Sequence, residues 1–114
     1  MTVPEVFQSH GIVFLKTIHS WAYEGTGVEE TKYYSVPNYT LSLSVETSHD
    51  NLGDSENGFS YVSTVKFNIN NSALVAIVKA YGTIWNDQRQ LVPLDTEDIY
   101  IYNENTFVFD KAGA

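Results

Sequence analysis

Three histidines, His10, His19 and His49, are the side chains best suited to ligate a metal or move a proton near neutral pH. They form no H-x-E, H-E-x-x-H or C-x-x-C pattern, so the chain carries no local ligand set. Ser48-His49-Asp50 has the residue types of a hydrolase triad, but consecutive residues cannot hold one another as nucleophile, base and orienter. That run reads as loop. Asp50, Asp54 and Glu56 offer hard oxygen atoms to a cation, yet their spacing is not that of an EF-hand and Gly53 is not where such a loop needs its glycine. The segment reads as a solvated hairpin tip, with cation binding left open. Asp95-Thr96-Glu97-Asp98 gathers its carboxylates in one connection, whereas glycoside hydrolysis needs two facing across a cleft. With no cysteine there is no thiolate nucleophile, thiolate metal site or disulfide. The expectation is a non-enzymatic protein without cofactor or metal.

The chain's 114 residues suit a single domain that buries its own core. Apolar residues make up 43% and charged residues 18%, too greasy and too weakly charged for a disordered chain. The net charge of −8 and the scattered Lys16, Lys32, Lys66, Lys79, Arg89 and Lys111 argue against nucleic acid, whose phosphates demand clustered cations. No apolar run approaches a membrane span, and Met1-Thr2-Val3-Pro4-Glu5 lacks the basic start of a signal peptide. A cytoplasmic site of synthesis is expected, without membrane association.

These side chains must be positioned by strands. Residues 1–11 read as an N-terminal arm or short edge segment, and 12–114 as one β-rich domain. Ile12–Tyr23 is rich in β-branched and aromatic residues and ends in the turn cluster Glu24-Gly25-Thr26-Gly27. In Tyr39–Thr47, Tyr39, Leu41, Leu43 and Val45 alternate with Thr40, Ser42, Ser44 and Glu46, which predicts one buried and one wet face. Across a polar loop, Phe59, Tyr61, Val65, Phe67 and Ile69 share a face, so the two runs are expected to form an antiparallel hairpin. Residues 72–82 have two readings: a short helix capped by Asn71 or Ser72 and ended by Gly82, or a buried strand continuing into Thr83-Ile84-Trp85. The β-branched Val75, Ile77 and Val78 favour the strand. Asn86–Arg89 reads as a turn into Gln90-Leu91-Val92, where Pro93 limits further pairing, and Ile99–Tyr102 and Thr106–Asp110 flank the turn Asn103-Glu104-Asn105. The sum is an all-β fold, a small antiparallel sandwich or open barrel of about seven strands.

Eight tyrosines and two tryptophans supply rigid amphipathic area suited to protein contacts. Tyr33, Tyr34, Tyr100 and Tyr102 are the interface candidates. Tyr100 and Tyr102 alternate with Ile99 and Ile101, so both faces of that strand are apolar or aromatic, covered within the fold or by a neighbouring subunit. Trp21 and Trp85 read as core.

The run Ala76-Ile77-Val78-Lys79-Ala80-Tyr81-Gly82, followed by a hairpin and by Glu97-Asp98-Ile99-Tyr100-Ile101-Tyr102 through Thr106-Phe107-Val108-Phe109-Asp110, resembles a β-module of tailed-bacteriophage fibre and other virion proteins. The resemblance implies a virion component (tail, fibre, connector or head decoration), made in the host cytoplasm and assembled as a homo-oligomer or larger complex with other protein subunits. Tyr39–Val45, Tyr61–Ile69 and Gly82-Thr83-Ile84-Trp85 are similar to the sheet of SecB-type export chaperones, which would imply peptide binding. An acidic inhibitory or immunity-type binding protein, acting on a basic partner, is the further alternative.

Overall fold

A computed structural model describes residues 5–36, 39–51 and 58–112. It is all-β: β1 (Glu5–Ser9), β2 (Ile12–Tyr23), β3 (Thr26–Ser35), β4 (Leu41–Asn51), β5 (Ser60–Asn70), β6 (Ala73–Trp85), β7 (Leu91–Asn103) and β8 (Val108–Lys111). All pair antiparallel in chain order, giving one eight-stranded meander. Among the described residues no helix is long and apolar enough to cross a membrane.

Three of the hairpins close with two residues at positive φ: His10-Gly11, Glu24-Gly25 and Asn71-Ser72. In each, the flanking residues are paired, Ser9 with Ile12, Tyr23 with Thr26 and Asn70 with Ala73. This is the two-residue turn whose twist matches that of the strands it joins. It decides the state of residues 72–82. Asn71 and Ser72 turn the chain instead of capping a helix, and 73–85 is strand throughout.

The sheet doubles over. β4 and β5 pair only through Ser48–Val62, His49–Tyr61 and Asp50–Ser60, then diverge, so the expected hairpin exists only at its loop end. Beyond the divergence, the face of β1–β4 carrying Phe7, Phe14, Tyr33, Leu43 and Val45 packs on Val65, Phe67, Leu74, Ala76, Val78, Tyr100, Tyr102 and Phe109 of β5–β8. The result is a two-layered body of 46 × 34 × 18 Å. Phe14, fully buried, lies at the centre, with ring centroids 5.7 Å from Tyr102, 5.9 Å from Phe109 and 6.3 Å from Phe67.

Glu5–Ser9, within the expected arm or short edge segment, is edge strand β1, and its Phe7 reaches the core, 5.1 Å from Phe67. Three features depart from the sequence reading. β3 was hidden because Glu29, Glu30 and Lys32 interrupt its apolar pattern, although Val28, Thr31, Tyr33 and Ser35 are buried. β7 runs unbroken through Pro93 and through Asp95–Asp98, which therefore lie in a strand and not in a connection. β8 covers only the 100–103 end of β7, so near Pro93 the strand is an edge, where a missing N–H costs no ladder bond. Finally, β4 carries two bulges: Ser42 and Thr47 stand unopposed between the pairs on either side. The bulge at Ser42 breaks the expected alternation, burying Ser42 beside Leu43 and leaving Leu41 exposed.

Candidate interaction site

The aromatic candidates divide by face. Tyr33 is 4% exposed and its ring stands edge-on to Phe7 and Phe67, so it belongs to the core and offers no area to a partner. Tyr100 and Tyr102 point the same way, packed against the core cluster. Their alternates, Ile99 and Ile101, are the outward side chains, 40% and 42% exposed. The strand's two apolar faces are thus settled in the opposite sense to the aromatic reading: rings inward, isoleucines outward. Tyr34 is half-buried on the outer side of β3, paired with Leu15 and Leu41. Trp21, expected in the core, is 40% exposed beside His19, and Trp85 packs on Phe59 with Arg89 over its ring, 4.9 Å from the centroid.

Burial raises the pKa of Tyr33, helped by the charge of Glu5, and that of Tyr102, helped by Glu104. Lys16 lies 5.8 Å from the Phe7 and Tyr33 ring centroids and 3.7 Å from Glu5, closing that rim of the core with its charge outward.

One polar cluster stands where the two layers join. The Tyr61 hydroxyl donates to Glu46 Oε1 at 2.5 Å, and His49 Nδ1 lies 2.8 Å from the same oxygen and 3.2 Å from the hydroxyl. The rings of Phe59 and Tyr61 sit 5.1 Å and 5.6 Å from the imidazole. The bulge at Thr47 creates this arrangement by bringing Glu46 and His49 to bear on one point, while Thr47 itself donates to Glu29 at 2.7 Å. His49 is therefore held by Glu46 and Tyr61, not by its sequence neighbours Ser48 and Asp50. The signal was illegible in sequence, because it needs Tyr61 from the next strand and the extra residue between Glu46 and His49.

The cluster works as a clamp on the joint. Burial and the hydrogen bond to Glu46 push the Tyr61 pKa well above the ordinary tyrosine value of 10.0. The folded protein therefore holds this proton more tightly than the unfolded chain, and the stability it contributes is intact below pH 10 and falls above it. Tyr61→Phe is expected to cost about 1–2 kcal/mol at neutral pH, the worth of a hydrogen bond to a carboxylate. It should also flatten the decline of stability between pH 10 and 12. Urea titrations across that range check both, and an unchanged alkaline slope in the variant would remove Tyr61 from the account.

Among the described residues no group of three or more His, Asp or Glu side chains could hold a metal ion. Asp54 and Glu56 lie outside the described residues, and Asp50 is on β4, beside Gly27. An open groove of about 580 Å³ at the end of β6–β8 is lined by residues including Leu74, Ile101, Tyr102, Glu104, Asp110 and Lys111.

No protein-family model matches the chain, and no curated protein or solved structure matches it.

Proposed function

We propose that this is a non-enzymatic structural protein that assembles through protein–protein contacts, as a component of a bacteriophage virion. The observation that supports this best is the outward ridge of Ile99 and Ile101, set in a sheet face whose other side is already occupied by the core. Contiguous exposed apolar area on a small domain marks a contact surface. The edge adds to this: among the described residues β1 pairs on one side only, with Val6 75% exposed, and open strand edges accept further strands. The resemblance of 76–114 to virion β-modules gives the reading its particular setting.

The test is fractionation from the native source. The protein is expected to sediment with large particles and to cross-link to other subunits there. Recovery wholly in the free fraction, at the 12.8 kDa of one chain, would overturn the reading. The acidic binding-protein alternative draws on Asp95 and Glu97, exposed along β7; a free chain that captures a basic protein in the same fractionation would put it first.

A further inference from the structure

We propose that the outward face of β5–β7 binds a second copy of this chain, through a two-fold axis running parallel to the strands between β6 and β7. The inference rests on the assembly reading above and names the surface and partner it uses. The face is built from the positions alternate to Ala76, Val78, Tyr100 and Tyr102, which enter the core. Cross-strand pairing sets Val75 beside Ile101, Ile77 beside Ile99, Lys79 beside Glu97 and Tyr81 beside Asp95. Ile99, Ile101 and Tyr81 are 40%, 42% and 48% exposed, and Lys79, Glu97 and Asp95 are exposed with them.

Rotation about that axis exchanges β6 with β7. Every side chain then meets the copy of its own cross-strand neighbour. The isoleucine ridge of one chain falls on half-buried Ile77 of the other and on the side chains around Val75, which is itself only 5% exposed; Lys79 meets Glu97 twice, and the Tyr81 hydroxyl can donate to Asp95. The flanks exchange as well: Asn68, outside Val75, meets Asp110, outside Ile101. No like charges are opposed. A two-fold axis across the strands, centred on Ile77 and Ile99, would instead set Lys79 over Val75 and Glu97 over Ile101, leaving charge desolvated and unpaired. Charge complementarity thus selects both the partner and the axis, and two sheet faces packed with strands aligned are a common arrangement.

The patch spans roughly 20 Å along the strands and about 14 Å across the three spacings from β5 to the flanking β8. At roughly 300 Å² per chain this is below the usual size of stable interfaces, so association is expected to be weak, in the high-micromolar range. Size-exclusion chromatography with light scattering, from about 10 to about 500 µM, brackets that range. The wild-type mass should climb from 12.8 kDa toward twice that value. Lys79→Glu and Glu97→Lys, each folded by circular dichroism, should each weaken self-association at least about tenfold by opposing like charges. Mixed in equal amounts, the two variants should recover wild-type association, because each then offers the charge the other lacks. An effect confined to the Lys79–Glu97 pair within one chain cannot be rescued by mixing. A wild type that stays at one chain's mass throughout, or a mixture no tighter than its components, overturns the proposal. If the wild type associates and neither substitution matters, this face is refuted while the assembly reading stands; that reading fails separately, in the native-source fractionation.

Discussion

Phe14→Ala is expected to remove most of the protein's stability, costing about 3–5 kcal/mol, the usual range for a buried phenylalanine cut to alanine. Among the described residues Phe14 is the large side chain with no exposure at all, and its ring touches aromatic groups from both layers: Tyr33 of β3, Phe67 of β5, Tyr102 of β7 and Phe109 of β8. Truncation leaves a void bounded by rings from four strands, and a meander held at one narrow joint has no single element that can slide in to fill it. Against a typical total of about 5–15 kcal/mol, such a loss leaves a marginal fold. Urea unfolding followed by tryptophan fluorescence measures it. A cost below about 1 kcal/mol would mean that the two layers are not held together through Phe14.

Gly82→Ala should come next, at about 2–4 kcal/mol, through backbone and not side-chain loss. Gly82 has φ +145°, a conformation L-residues rarely adopt, and an added Cβ would stand 2.2 Å from the Ser60 carbonyl oxygen and 2.6 Å from Tyr61 Cα. Both are backbone atoms of the paired strand, so the clash is relieved only by prising β5 from β6 where β5 also pairs with β4. Gly11→Ala is the control: φ is +84° but nothing lies within 4 Å of the added Cβ, so only the conformational cost of about 1–2 kcal/mol applies. Thermal unfolding of the two variants side by side gives the comparison. Equal losses would show that the contact with β5 is not what requires glycine at 82.

The β-strand character of the chain was legible wherever alternation and turn chemistry agreed. Ile12–Tyr23 was bounded correctly because a β-branched, aromatic run meets Glu24-Gly25, a pair suited to positive φ. Where the two signals conflicted, the reading failed for identifiable reasons. β3 pairs on both sides and carries its charges at half-buried positions, so period-two counting missed it. Pro93 suggested a stop, but an uncovered edge tolerates it. For the contact surfaces, Tyr102 and Ile101 are equally apolar in a one-dimensional pattern, and only the ring contacts of Tyr102 with Phe14 and Phe109 decide which faces inward. The Glu46–His49–Tyr61 cluster depended on a bulge, a register event with no local signature here.

Because every strand pairs only with the one before and the one after it, hydrogen-bond ladders can zip up locally, in the order the ribosome releases them. The greasy side of the first four strands, however, has nothing to rest on until Phe67, Tyr102 and Phe109 have been synthesised. A nascent chain paused after β4 is thus well hydrogen-bonded yet sticky, and the later half serves as the cover that ends its exposure to aggregation.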